Sequence, residues 1–192
     1  SIGGKPVLIT YCTVCRTGRV FEPIVNGRLE KFRLVGMDHY NAMLEDHTTK
    51  SWWRQATGEA IAGPLTGGKL PEVPAIQSSL ETWLELYPHS LIMQPDSNFS
   101  AIYDSMSDYE SGQRSGRLTR RDTASWQDKS WIAGIDLGEV SKAYDWNELV
   151  SKGVINDTPG SIPISVIVTA DQKSLFAFRR HSIEQQLTFR ND

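Results

Sequence analysis

Residues 7–21 have the sequence VLITYCTVCRTGRVF, and this stretch predicts two strands on either side of a pair of cysteines. Its first part, VLITY, is apolar and β-branched, which is typical of a buried strand, and it leads directly into Cys12. The residues that follow Cys15 also have strand character rather than helical character. We therefore expect the end of a strand to hold Cys12 rigidly, with its sulfur near the surface.

Turn and strand patterns continue outward from this stretch. Asn26-Gly27 is the strongest short hairpin signal, because both residues tolerate a positive φ. At Trp52-Trp53, the alternation of a strand predicts one ring in the core and the other outside. Apolar spacing predicts a helix over residues 80–87, capped by Ser78 or Ser79, and a second helix over 146–152. Further strands are predicted at residues 19–25, 29–35, 42–44, 51–54, 91–93, 131–137, 142–146, 162–169 and 175–179.

Strands outnumber helices in this pattern, and no long helices alternate with them, which argues against a doubly wound sheet. We expect a β-rich α+β fold that forms a single domain over residues 1–192. Its sheet is expected to be mostly antiparallel, with a closed barrel as one alternative, and to be accompanied by one or two short helices. Residues 94–130 are polar and form an inserted segment. This segment is either a surface insertion or a lid that brings arginines to an anionic ligand. The arginines in question are Arg114, Arg117, Arg120 and Arg121.

The composition narrows the classes of partner. The chain has 192 residues, 39% of them hydrophobic, and a net charge of −3, which is typical of a globular protein and argues against a nucleic-acid partner. No apolar run approaches the roughly 20 residues of a transmembrane segment. The chain begins at Ser1 rather than Met, so we expect either a processed or a trimmed form, from which an export signal would already be absent.

Cys12 and Cys15 form the one C-x-x-C of the sequence. A disulfide across so short a loop would stabilise the fold by only ~2 kcal/mol, so the pair is better explained as a redox couple or as half of a metal site. A haem attachment would need His directly after Cys15, where Arg16 stands, and a zinc ribbon would need a second C-x-x-C. Redox chemistry, metal binding and a structural disulfide or inert thiols all stay open here.

The redox hypothesis makes Cys12 the nucleophile and Cys15 the residue that resolves a mixed disulfide or a sulfenic acid. Because strand character after Cys15 removes a helix N-terminus from the site, we expect Arg16 and Arg19 to supply the positive charge that lowers a thiol pKa. The expected partners are a thiol or disulfide reductant or a small-molecule oxidant, and the chemistry requires no cofactor.

The metal hypothesis adds two histidines to the thiols. His39 and His47 are eight residues apart, and on adjacent strands of a hairpin their side chains would converge. With Cys12 and Cys15 they would form a soft nitrogen and sulfur site suited to copper or zinc. The alternative for each histidine is a solvated surface position.

Glu59 would serve as a general base if it lay in a pocket, and its alternative is an ion pair with Arg54. The chain has neither the G-x-S-x-G motif of serine hydrolases nor a glycine-rich phosphate loop. A third hypothesis is a non-catalytic module that binds a ligand or partner through its aromatic surface and the arginine-rich insertion.

Three blocks of the sequence resemble a bacterial family called domain of unknown function 3179. Residues 10–21, TYCTVCRTGRVF, are similar to the family's opening TYCPLC-x-T-x-x-x-F. Residues 51–67, SWWRQATGEAIAGPLTG, resemble its S-x-W-x-Q-x-T-G-E-A-I-x-G-P-L-x-G block. Residues 141–166 are similar to a third block, A-Y-P-x-x-L-x-x-x-x-V-x-N-D-x-x-G-x-x-P-x-x-V. This sequence departs from the family at Thr13, where proline is common, and at residues 37–41, which are more apolar in relatives.

The resemblance implies an exported protein, since members often carry export or lipoprotein signals. Some members are assigned selenocysteine in the C-x-x-C region, which implies redox chemistry. The family's cysteine pair corresponds to Cys12 and Cys15. Other residues occupy motif positions for which the family gives no role: Gln55, Gly58, Glu59, Asn156 and Asp157.

Overall fold

A computed structural model describes residues 1–104 and 121–180 of the chain. These residues divide into two compact units, the first formed by 1–75 and 99–104 and the second by 76–98 and 121–180. The helices in these ranges are short and are numbered α1 (Leu80–Leu86), α2 (Ser100–Asp104) and α3 (Trp146–Lys152). The prediction of a β-rich α+β fold with antiparallel sheets is confirmed, and no sheet of the described ranges closes into a barrel. The assignment of residues 1–192 to one domain stays a prediction.

The first unit is built from antiparallel strands that follow each other in chain order. β1 and β2 form a hairpin, β3 and β4 form a second one, and β5 to β8 form a four-stranded sheet in sequential order. The turn between β3 and β4 is the predicted Asn26-Gly27, and both residues have a positive φ. The strands of the unit's described part are β1 (Leu8–Cys12), β2 (Thr17–Phe21), β3 (Ile24–Val25), β4 (Arg28–Leu29), β5 (Phe32–Asp38), β6 (Asn41–Asp46), β7 (Trp52–Arg54) and β8 (Ala60–Ala62).

The core of the first unit lies under the four-stranded sheet. Trp53 is 3% exposed within it and Trp52 is 45% exposed, so the predicted alternation is confirmed. Gly58 has a φ of +70°, and a Cβ at this position would lie 2.6 Å from the ring of Phe21, so the close packing here requires glycine. The expectation of a buried strand at β1 is wrong for one of its faces: Ile9 is 66% exposed, because a two-stranded hairpin leaves one face in solvent.

The second unit has its own core, in which Leu149 of α3 and Val166 are fully buried. Helix α1 begins after Ser79, whose Oγ accepts a hydrogen bond from the Thr82 N–H, as predicted for a cap. Helix α3 ends at Lys152 and is capped by Gly153, which has a φ of +69°. The unit's strands in the described residues are β9 (Ile132–Asp136), β10 (Ser141–Asp145), β11 (Val154–Asp157), β12 (Ile164–Val168) and β13 (Leu175–Arg179). They form one two-stranded sheet, β9–β10, and one three-stranded sheet, β11–β12–β13.

The predicted insertion at 94–130 falls partly outside the described residues, and so do Arg114, Arg117 and Arg120. Its lid interpretation therefore stays a prediction. Arg121 is described, and its guanidinium lies 3.9 Å from the centre of the Trp131 ring. Across residues 1–104 and 121–180, no helix combines the length and the apolar character that a bilayer crossing requires.

Candidate functional site

The turn of the first hairpin carries both thiols. Strand β1 ends at Cys12, strand β2 begins at Thr17, and the two residues are paired across the hairpin. Arg16 has a φ of +52°, a left-handed conformation that reverses the chain just before β2. Cys12 and Cys15 therefore occupy the same tight turn, and the structure has no disulfide bond between them.

The Cys12 sulfur is buried among backbone groups. The side chain is only 3% exposed, so the expectation that its sulfur lies near the surface is wrong. The Cys15 N–H lies 3.5 Å from Cys12 Sγ and donates to it, and the backbone of Ala42 and Val14 also hydrogen-bonds to this sulfur. The Tyr40 carbonyl oxygen lies 3.6 Å away and accepts a hydrogen bond from the Cys12 thiol when that thiol is protonated.

This environment separates the acidities of the two thiols. The hydrogen bond from the Cys15 side chain, aided by the backbone donors, lowers the pKa of Cys12 to about 6 against the opposing effect of burial. The same side-chain hydrogen bond, together with burial, raises the pKa of Cys15 above its ordinary value. The two thiols therefore titrate as a pair, and the directions of the two shifts favour the charge on Cys12 and the proton on Cys15.

The two arginines expected to acidify a thiol have other contacts. Arg19 Nη1 lies 2.7 Å from Glu72 Oε1, so a carboxylate offsets its charge. Arg16 contributes the backbone turn described above. The largest contributions to the low pKa of Cys12 come from hydrogen bonds, so the expected cause, a nearby positive charge, is not the main one.

The β5–β6 turn packs over Cys12 and is tied to the neighbouring strand. Arg54 of β7 donates from Nε and Nη2 to Asp38 Oδ2, at 2.9 and 2.6 Å, and holds the pKa of Asp38 below its usual value. His39, the next residue, has a φ of +55°, and its Nδ1 lies 2.9 Å from Asp38 Oδ1. The Tyr40 carbonyl that contacts Cys12 belongs to this same turn.

The remaining predicted site residues lie on the surface. Glu59 Oε2 lies 3.8 Å from Arg54 Nη1, which is the ion pair considered as its alternative, and its general-base role stays a prediction. The His39 side chain is 86% exposed, and His47 is also exposed. Within residues 1–104 and 121–180, no group of three or more His, Cys, Asp or Glu side chains is placed to hold a metal ion. The structure therefore does not gather the thiols and the two histidines into one ligand set.

Gln55 is a residue whose position in the site the sequence did not reveal. It is 1% exposed and lies directly after β7. Its Nε2 donates to Thr10 Oγ1 and to the Thr17 carbonyl oxygen, both at 2.9 Å, and its backbone N–H donates to the Ala42 carbonyl oxygen at 3.0 Å. In the sequence, only its position in the second motif block marked Gln55, and the family assigns no role to that position.

A family model with the description Protein of unknown function (DUF3179) matches residues 1–191 of the chain. The chain belongs to this family. The resemblance carried by the three sequence blocks is thereby confirmed. Neither the curated proteins nor the solved structures provide a match. Because the DUF3179 description assigns no activity, a function is inferred below from the thiol site.

Proposed function

We propose that this DUF3179 protein is a thiol-dependent oxidoreductase, in which Cys12 reacts with a small peroxide and Cys15 resolves the product. The observation that carries the proposal is the arrangement of two free thiols on one turn, with the Cys12 sulfur buried among hydrogen-bond donors and Cys15 half-buried beside it. Donors aimed at a sulfur stabilise its thiolate, which is the reactive form. As the family resemblance implies, the proposal places the protein in an exported compartment.

The oxidation half of the cycle uses both sulfurs. The Cys12 thiolate attacks the terminal oxygen of a hydroperoxide, the O–O bond breaks, and the alkoxide leaves as an alcohol after taking a proton. Cys12 is then a sulfenic acid, oxidised by two electrons. The Cys15 thiol loses its proton and attacks the Cys12 sulfur, the S–O bond breaks, and water leaves. The product is the Cys12–Cys15 disulfide.

The reduction half requires an external dithiol. A thiolate of this dithiol attacks the more exposed Cys15 sulfur, and the S–S bond breaks with Cys12 as the leaving group. A thiol of low pKa leaves fastest, so the acidity of Cys12 favours this direction of attack. The second thiol of the reductant then releases Cys15 as a thiol. The sum is hydroperoxide plus dithiol giving alcohol, water and the disulfide of the reductant.

Peroxide consumption by the full chain, with a small dithiol as reductant, tests this proposal. We expect the wild-type protein to turn over and to lose the mass of two hydrogen atoms when peroxide is added alone. The Cys15→Ser variant should accumulate a sulfenic acid at Cys12 that dimedone traps, and the Cys12→Ser variant should be inactive. Full turnover by Cys12→Ser, or labelling of Cys15 in place of Cys12, would overturn the proposal.

The other two sequence hypotheses stay predictions with tests of their own. Copper or zinc binding through Cys12, Cys15, His39 and His47 predicts a stoichiometric metal by elemental analysis or a spectral change when Cu(I) is added. A non-catalytic binding module predicts that ligand binding survives alkylation of both thiols. Because a blocked thiol prevents turnover, the same alkylated sample separates the binding module from the oxidoreductase.

A further inference from the structure

We propose that Gln55 is a positioning residue for the reacting thiol: its side-chain amide and its backbone N–H together hold the C-x-x-C hairpin against β6, which fixes the backbone groups around Cys12 Sγ. This inference depends on the proposed function only in treating Cys12 as the thiol that reacts. It assigns a role to a buried side chain that the chemistry above does not use.

The Gln55 amide spans both strands of the hairpin. One carboxamide nitrogen donates to Thr10 Oγ1 on β1 and to the Thr17 carbonyl oxygen on β2, and both distances are 2.9 Å. Thr17 is the residue paired with Cys12, so the second of these bonds lies at the end of the hairpin that carries the thiols. Thr17 also holds the turn from the other side, because its Oγ1 donates to the Cys15 carbonyl oxygen at 3.2 Å.

The backbone of Gln55 connects this end of the hairpin to β6. Its N–H donates to the Ala42 carbonyl oxygen at 3.0 Å, while the backbone of Ala42 hydrogen-bonds to the Cys12 sulfur. One residue thus contacts, through two separate groups, both elements whose spacing determines this hydrogen bond. A hydrogen bond weakens steeply as its geometry departs from the optimum, so a small displacement between hairpin and sheet would reduce the stabilisation of the thiolate.

A second observation indicates that Gln55 is present for more than stability. Its Oε1 is buried and has no hydrogen-bond partner among the described residues. A buried acceptor without a partner is destabilising, and an apolar side chain of similar shape would avoid that penalty. The positions where a chain keeps a locally unfavourable group are commonly functional.

The test replaces Gln55 by Met, which has a similar length and shape but no N–H donor. Alkylation of Cys12 by iodoacetamide is measured across pH in the full chain, and mass spectrometry separates it from alkylation of Cys15. For wild type we expect a midpoint at about 6, the pKa of Cys12. For Gln55→Met we expect a midpoint of about 7 or higher, as for a thiolate that has lost part of its hydrogen bonding. Gln55→Glu, which keeps the shape but replaces the amide nitrogen by oxygen, should shift the midpoint in the same direction.

Two control variants separate positioning from general destabilisation. Gln94→Met makes the same chemical change at an exposed glutamine and should leave the midpoint at the wild-type value. Ser51→Ala removes a buried hydroxyl that accepts from the Leu65 N–H in the same unit, so it should lower stability without moving the midpoint. A folded Gln55→Met or Gln55→Glu protein with the wild-type midpoint would overturn the role of Gln55. The alkylation midpoint can be measured in a protein that has no catalytic activity. An inactive wild type would therefore refute the proposed oxidoreductase function but not the role of Gln55.

Discussion

Cys12 is both buried and acidic, although burial by itself raises the pKa of a thiol because a thiolate loses its hydration. The opposing contribution comes from hydrogen bonds, first from the Cys15 side chain and then from the backbone of Cys15, Ala42 and Val14. These backbone donors are held by the hairpin turn (Val14 and Cys15) and by β6 (Ala42), and they need no reorganisation when the charge forms. The acidity therefore requires neither a helix N-terminus nor a cationic side chain beside the sulfur.

Substitution of Cys15 tests the leading contribution to this acidity. Cys15→Ser retains a hydroxyl that can donate to the Cys12 thiolate, whereas Cys15→Ala retains no side-chain donor. We expect the pKa of Cys12 to stay at about 6 in Cys15→Ser. In Cys15→Ala we expect it to be higher, because the thiolate loses its strongest hydrogen bond. The ultraviolet absorbance of the thiolate, titrated against pH, measures both values. Equal values in the two variants would contradict this account of the acidity.

The turn between β5 and β6 contacts the Cys12 sulfur. The Tyr40 carbonyl of this turn contacts the Cys12 sulfur, and the turn is anchored by the ion pair of Asp38 with Arg54. A second ion pair of the same sheet has nearly the same geometry but lies away from the turn. Arg33 donates from Nε and Nη2 to a single oxygen of Glu45, at 2.9 and 2.7 Å.

This similarity supplies a matched pair of variants. In a Cys15→Ser background, Asp38→Asn weakens the anchor of the turn, so local opening becomes more frequent and alkylation of Cys12 should accelerate about three- to tenfold. Glu45→Gln removes a comparable charge from the same sheet and should leave the rate unchanged. The rates are measured well above the pKa of Cys12, where thiolate content does not differ. Equal acceleration in the two variants would show that the Asp38 contact has no special part in covering the sulfur.

The whole thiol site belongs to the first of the two compact units. We therefore expect the unfolding free energy of that unit to depend on pH as the two thiols ionise. Folding lowers the pKa of Cys12 from 9.0 to about 6. Between these two pH values the unfolded chain holds a proton on Cys12 that the folded chain has released. Stability therefore rises with pH through this window and is lost as pH falls through about 6. Cys15 has the opposite effect, because folding raises its pKa and so removes stability once the unfolded thiol ionises.

The Cys12→Ser variant removes this contribution, and below the pH at which the unfolded Cys15 thiol ionises the difference from the wild type reflects Cys12. We expect the difference in unfolding free energy between wild type and variant to grow in favour of the wild type as the pH is raised from about 6 to about 9. Hydrogen exchange of the backbone amides of the first unit, measured at several pH values, gives this difference without interference from the second unit. A difference that is independent of pH would mean that folding does not acidify Cys12.

Much of the fold follows from short-range patterns. Alternation predicts the opposite exposures of Trp52 and Trp53, the Asn26-Gly27 pair predicts a turn, and serine before an apolar period predicts the start of α1. Each of these rests on contacts between residues a few positions apart, which the order of residues specifies directly. The spacing of Cys12 and Cys15 likewise marks them as a pair from the amino-acid order alone.

The surroundings of the thiol pair could not be inferred in this way. The Tyr40 carbonyl lies 28 residues from Cys12 along the chain, and the Gln55 amide reaches Thr17 across 38. The groups that contact Cys12 are mainly backbone atoms. Because every residue type has these atoms, the residue types in the sequence do not indicate which of them contact the sulfur. The register of the strands and the packing of the hairpin against the sheet determine which of them meet the sulfur. The local sequence thus specified the positions of the two cysteines in the hairpin, while contacts between distant segments determined which of the two thiols has the lowered pKa.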